Sequence, residues 1–181
     1  MPDESVTEEQ PKIRLFGGIR WGLGLPTVIL VGEYALPPRD HLHIVREFYG
    51  EEALLDDVIQ TAKEWKEDLK IWKWYTREPE FMEELKKQRL RVQEIPDQTL
   101  LAIQLIRKRL GNQSQGLPGG LTVSRECRFT VDEFNKFRRP ERDHRKPYRD
   151  KPLDVDNYAM GALHYLVLGL SLEKRPRARW L

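Results

Sequence analysis

The chain has 181 residues and a mass of 21.4 kDa, 39% hydrophobic and 33% charged, which fits one globular α/β or α+β domain that buries its own core and excludes a disordered chain. The longest weakly polar stretch, 159–172, is interrupted by Gly161 and His164 and is shorter than the ~18–20 apolar residues of a spanning helix, the N-terminus MPDESVTEEQ lacks the basic and apolar parts of a secretory signal, and the single Cys127 excludes an intramolecular disulfide or a Cys-based zinc site; a cytoplasmic protein with no membrane contact is expected. Net charge is +2, but the first ten residues hold four acids and no base, so the remainder carries +6, gathered in 138–151 (seven bases against three acids) and in Lys174, Arg175, Arg177 and Arg179, a distribution that suits a polyanion or simply solvated loops.

Residues 1–12 read as an acidic flexible tail, 13–172 as the domain, and 173–181 as a basic tail. Ile13 to Trp21 and Pro26 to Tyr34 read as two strands around Gly22-Leu-Gly-Leu25, because Thr27 to Val31 is a β-branched run bounded by Gly and Pro. His41 to Phe48 alternates apolar and polar residues as a third antiparallel strand. From Glu51 to Leu69, Leu54, Leu55, Val58, Ile59, Ala62, Trp65 and Leu69 recur at helical spacing, and Ile71 to Tyr75 follows as a buried strand. A helix over Glu78 to Gln88, a strand over Leu90 to Val92, and a helix over Asp97 to Leu110 stopped by Gly111-Asn112 come next. Gln113 to Gly120 reads as a loop, Leu121 to Val123 as extended chain or a strand, Glu126 to Phe137 as a helix, and 138–152 as a loop. Leu153 to Leu172 is the last helix, with Asp154 or Asp156 placed to cap it. This order predicts an antiparallel three-strand hairpin sheet extended by parallel strands that enter through right-handed helical crossovers, with helices on both faces: the ribonuclease H-like α/β class. No internal repeat is visible.

Four segments, spread over roughly residues 15 to 170, resemble the C-terminal nuclease domain of viral large terminases. Phe16-Gly-Gly-Ile-Arg-Trp-Gly22 with Pro26-Thr27-Val28 resembles the family's G-I-D-W-G and P-T-A. His43-Ile-Val-Arg-Glu-Phe-Tyr49 resembles its third strand, and Leu121-Thr-Val-Ser-Arg-Glu-Cys127 with Glu133 and Phe134 its L-x-I-x-x-x-C … E stretch. Asp156-Asn-Tyr-Ala-Met-Gly-Ala-Leu-His-Tyr165 is similar to D-N-H-A-M-D-A-L-R-Y.

The resemblance implies a DNA endonuclease that holds two Mg²⁺ or Mn²⁺ ions on an aspartate triad, since hard cations need oxygen ligands. At the matching positions this chain has Arg20, Gly161 and, within Trp74-Tyr-Thr-Arg-Glu-Pro79, Arg77 as the first alignment and Tyr75 as the second. A guanidinium removes an anionic ligand and adds a fixed cation, so a degenerate site without metal or other cofactor is expected. In it Arg20 would pair with a remaining acid, Glu47 or Asp156; Glu78 is a retained ligand on one reading and a helix-start acid on the other.

The partners implied are duplex DNA, bound weakly and without sequence preference through Arg138, Arg139, Arg142, Arg145, Lys146 and Arg149, and a packaging ATPase or other packaging protein. The alternatives are an active Mg²⁺- or Mn²⁺-dependent endonuclease with ligands rearranged among Glu33, Glu47, Glu78, Asp154 and Asp156, and a structural assembly protein without DNA binding. No Walker lysine motif and no dinucleotide fingerprint occurs, so the resemblance is to a terminase without its ATPase half.

Other groups read more simply. His41 and His43 share a strand face, a spacing compatible with a metal pair, but lack an evident third ligand. His164 reads as a packed helix histidine and Cys127 as a small buried residue. Trp65, Trp72 and Trp74 read as a cluster for core packing or a protein contact, Trp72 and Trp74 on one side.

Overall fold

The computed structural model describes residues 10–136 and 157–174. Strands β1 (Ile13–Arg20), β2 (Thr27–Ala35) and β3 (His41–Gly50) open the chain as an antiparallel meander, followed by α1 (Leu55–Leu69), β4 (Lys73–Thr76), α2 (Pro79–Lys87), β5 (Val92–Glu94), α3 (Thr99–Ser114), β6 (Leu121–Val123), α4 (Arg128–Lys136) and α5 (Tyr158–Glu173). The sheet order is β5-β4-β1-β2-β3-β6; β4 lies parallel to β1, β5 to β4 and β6 to β3, so β2 alone runs against the rest. This is the ribonuclease H-like arrangement that the element order predicts.

The period of two in β2 divides the core. Val28 and Leu30 face α5 and α3 on one side, while Ile29 and Val31 face α1 and α2 on the other, all four fully buried. A one-residue slip would exchange these sets, which is why the pairing is well specified. Helix α5 is buried along 159–170 and apolar all round, since it lies against the sheet with α3 and α4 over it. Its approach is close: a Cβ on Gly18 of β1 would stand 2.5 Å from the Ala162 carbonyl oxygen.

Several boundaries differ from the sequence expectation for local reasons. Helix α3 runs through Gly111 and ends at a Schellman turn, with Gly116 in the left-handed region (φ 66°), the Leu117 N–H on the Asn112 carbonyl (2.9 Å) and the Gly116 N–H on that of Gln113 (3.2 Å). A mid-helix glycine is tolerated here because Ala102, Ile103 and Ile106 are buried on the face below it. Leu90 belongs to the end of α2 rather than to a strand: Arg89 takes φ 59° and the Leu90 N–H bonds the Leu85 carbonyl (3.2 Å), so β5 starts two residues later. Leu54 precedes α1 and is 70% exposed, not a core position. Trp72 also leaves the predicted cluster; Trp74 is buried with Trp65 against it, whereas Trp72 stands before β4 and is 43% exposed.

The caps predicted at Asp154 and Asp156 lie outside the described residues. No helix among the described residues is long and apolar enough to cross a membrane.

Candidate functional site

The parallel strands β1 and β4 finish side by side. Their register pairs Phe16 with Lys73 and Gly18 with Tyr75, and carried on one for one it sets Arg20 level with Arg77. Crevices at the carboxyl ends of parallel strands are where open α/β sheets bind ligands. The first two turns of α5 cross this end and bring Asn157, Tyr158, Gly161, His164 and Tyr165 to it.

Arg20 and Gly161 are in direct contact. A Cβ added to Gly161 would lie 2.5 Å from Arg20 Cδ and 2.7 Å from its Nη1, so the arginine occupies the volume that any side chain at 161 would need. Its Nη1 donates to the Asn157 carbonyl (3.2 Å) and more weakly to Asn157 Oδ1 (3.5 Å), and its guanidinium carbon stands 5.0 Å from the centre of the Tyr158 ring. Among the described residues no carboxylate forms an ion pair with it. The expected pairing with Glu47 does not occur, because Glu47 is engaged elsewhere: its carboxylate accepts the N–H groups of Phe129 (2.9 Å) and Thr130 (2.6 Å) and the Thr130 hydroxyl, and so caps α4. Asp156, the other expected partner, lies outside the described residues.

The residue that most shapes this end is Glu133, which sequence reasoning placed only as part of a family-like stretch. It comes from α4, is 5% exposed, and accepts the Met160 N–H (2.9 Å), with Ala159 and Tyr158 N–H groups also directed at it. It thereby supplies the N-terminal cap of α5 that Asn157 does not provide. Burial pushes its carboxyl pKa up, with those N–H groups and the charge of Arg20 pulling the other way. A signal was present, since a glutamate among the buried positions of an amphipathic helix requires a partner.

Glu78 is held on three sides, by the Thr76 hydroxyl (2.6 Å), the Arg77 N–H (3.4 Å) and the Tyr165 hydroxyl (2.9 Å). Burial, and after it the charge of Glu78, raises the Tyr165 pKa. The Arg77 guanidinium turns to Asp97 (2.7 Å), away from Arg20. Tyr75 belongs to the other end of α5, where its ring stacks on Phe16 and its hydroxyl reaches Glu173 (3.2 Å). His164 is buried, and desolvation together with the Arg20 charge lowers its pKa to about 4, so it is a neutral imidazole at pH 7.

These residues do not fit a pair of hard cations. Metal ions would need several anionic oxygens directed at one point, whereas a guanidinium fills the junction of β1 and α5, Glu133 is turned to backbone N–H groups, and Glu78 already accepts three hydrogen bonds. Glu33 does not join them: it pairs with Leu15, five positions along β1 from Arg20. Among the described residues no three His, Cys, Asp or Glu side chains are gathered in a metal-holding group. His41 and His43 do share a face, and both ring nitrogens meet the Thr122 hydroxyl (2.9 and 2.8 Å).

Beside the site runs an open cleft of about 1040 Å³ whose walls include Trp21, Leu25, Tyr49, Phe129 and Tyr158. Among the described residues its charged lining is Glu51, Glu52, Asp132 and Glu133 against Lys136, an acidic balance. Cys127 lies beneath β3, its thiol pKa pushed up to about 11 by burial and then by Glu47 and Glu126. The six bases expected to meet DNA, Arg138, Arg139, Arg142, Arg145, Lys146 and Arg149, lie outside the described residues, as does Asp154.

No protein-family model and no curated protein sequence matches the chain. Solved structures do match it in fold. The large terminase of a thermophilic bacteriophage, in complex with ADP, superposes with a TM-score of 0.72 at 16% identity over 87% of this chain. The nuclease domain of the P22 large terminase gives 0.70 at 13% identity over 91% of this chain and 84% of its own. The large terminase nuclease of the thermophilic phage G20c with bound cobalt gives 0.63 at 17% identity, over 87% and 82%. The chain spans 40% of the length of the ADP-bound terminase. At these identities the likeness is one of fold.

Proposed function

We propose that this chain is a catalytically degenerate domain of the terminase nuclease type, which serves viral DNA packaging by binding duplex DNA, a packaging motor or another nuclease subunit rather than by cutting. The observation that supports this reading is the contact between Arg20 and Gly161. Two residues 141 positions apart, each aligned with a metal-binding aspartate of the resembled family, fit together as one unit: the arginine needs the glycine's missing side chain, and the glycine leaves room for the arginine. A fixed cation at that point opposes divalent metal electrostatically as well as by the loss of ligands. The match in fold to the nuclease domains of phage large terminases supports the same reading.

Supercoiled plasmid with Mg²⁺ or Mn²⁺ tests it: no nicking above background is expected. Metal-dependent nicking that scales with protein and disappears in Glu78→Ala would instead support an active enzyme with rearranged carboxylates. Restoring aspartates together, Arg20→Asp with Arg77→Asp and Gly161→Asp, should create Mn²⁺ binding measurable by calorimetry more readily than activity, because ligand identity is easier to restore than the shell around it. No heat of binding in a folded triple variant would mean that the alignment is wrong.

DNA binding on this reading is carried by the basic stretch 138–149, since the described lining of the cleft beside Arg20 is acidic. Four to six engaged bases give a slope of about −4 to −5 in log K against log salt, at roughly −0.9 per phosphate. Neutralising Arg142, Arg145 and Arg149 should flatten it by up to ~3. A slope untouched by these changes would favour a protein partner for that segment.

A further inference from the structure

We infer that the opposite end of the sheet carries a docking surface for an acidic segment of another protein, centred on Trp72 between Arg14 and Arg91. The topology makes this surface. Strands β5, β4 and β1 are adjacent and parallel, so all three begin at the same end, the one farthest from Arg20. The Trp72 N–H bonds the Leu15 carbonyl (2.8 Å) and the Trp74 N–H bonds that of Arg91 (2.8 Å), which sets Arg14 and Arg91 on either side of the tryptophan. Their guanidinium carbons lie 4.9 and 4.4 Å from the centre of its ring.

An exposed tryptophan costs solvation unless something covers it, and here two cations are packed against it while it remains 43% exposed. The charge around it is selective. Lys66, Lys73, Lys86 and Lys87, on the elements that reach this end, are each ion-paired, with Glu67, Glu173, Glu83 and Glu84. Lys12, Arg14, Lys70, Arg89 and Arg91 are exposed and have no ion pair among the described residues. Two unpaired arginines against a half-exposed tryptophan, with Lys12, Lys70 and Arg89 against Asp68 as the further exposed charges at this end, have the composition of an interface hot spot, an aromatic and arginine centre with a charged rim.

The chemistry selects among anionic partners. A nucleobase would need the face of Trp72 for stacking, and guanidinium from both neighbouring strands already meets that ring. A phosphodiester backbone would use the bases but gain nothing from the edge of Trp72. A protein segment bearing carboxylates with an apolar side chain among them uses both. The inference does not depend on whether the Arg20 end is degenerate.

The test is fluorescence anisotropy on the full chain with a labelled peptide of alternating Glu and Leu, a Gln and Leu peptide of equal length, and duplex DNA. The acidic peptide should bind saturably and the neutral one should not. Arg14→Gln with Arg91→Gln, both at exposed positions, should weaken peptide binding by ~10-fold or more and leave duplex binding unchanged; Trp72→Phe, which keeps a ring for both arginines, should weaken it less. Peptide affinity indifferent to the arginine changes would overturn the proposal. So would loss of duplex affinity in the same variant, which would make the surface a nucleic-acid contact. A chain starting at residue 10 that binds the peptide ~10-fold more tightly would overturn it as well, because the acids at 3–9 would then be the occupant, favoured by tethering.

Discussion

At the C-terminal end of α5 Asp40 is enclosed by cations, whereas at the N-terminal end Arg20 and Glu133 are held by dipoles. Asp40 accepts from Arg109 Nη2 (3.0 Å) and the Tyr34 hydroxyl (2.7 Å) and pairs with Lys174; Arg109 also donates to the Asp40 carbonyl (2.8 Å). Burial alone would raise the Asp40 pKa, but Lys174, Tyr34 and Arg109 outweigh it and hold the carboxyl below its usual range. Nothing in that cluster is left over. At the other end Arg20 rests on a carbonyl and a tyrosine ring, and Glu133 on backbone N–H groups, and the two charges act on each other without forming an ion pair among the described residues. A cluster that is electrostatically closed holds α3, α5 and the turn before β3 together.

The largest expected effect tests that contrast. Asp40→Ala leaves Arg109, whose side chain is 10% exposed, without its counter-charge and should cost ~3–5 kcal/mol of unfolding free energy by chemical denaturation. Arg20→Ala, which strips no described carboxylate of an ion-pair partner, should cost under ~1 kcal/mol. Equal costs would erase the difference between the two ends.

Acid should separate the ends by pH. The folded-state pKa of His164 is depressed to about 4 from 6.5, so the unfolded chain binds its proton first, and the stability this group contributes above pH 6.5 is lost as pH falls toward 4. At ~1.4 kcal/mol per pKa unit the loss approaches ~3 kcal/mol. Glu133 opposes it, since its raised pKa makes the folded form keep a proton longer as pH rises through 4.5. The difference between wild type and His164→Gln isolates the histidine, and a pH profile unchanged by that substitution would refute its burial as a neutral ring. Asp40 acts later: its pKa is lowered from 3.8, so its contribution is present above that value and disappears only as pH falls through the folded-state value.

The smallest effect is the most specific. Gly161→Ala should cost ~1–3 kcal/mol through overpacking on Arg20, and in an Arg20→Ala background the same change should cost close to nothing. Additive costs would show that the two residues do not share the space between β1 and α5.

Much of the fold follows from patterns that are local in sequence. The β-branched run of β2, the three-and-four spacing of α1 and the Gly-rich turn at 22–25 are each decided by a few neighbouring residues, and right-handed crossovers then leave little freedom in strand order. Boundaries are harder to read where a stop depends on left-handed backbone, as at Arg89 and Gly116, because a glycine such as Gly111 looks the same in a string of residues whether or not the helix passes through it. At the candidate site, the order of residues gives the expectation, by resemblance alone, that arginine and glycine stand where the resembled family has aspartates, and it shows that the chain's positive charge lies late. It takes the packed fold to set Arg20 against Gly161, to spend Glu47 on capping α4, and to bring Glu133 to the start of α5. Those contacts join residues 27 to 141 positions apart, and no local propensity carries information over such separations: they are settled by which orphan N–H groups and which cavities the packing of helices on the sheet leaves to be filled.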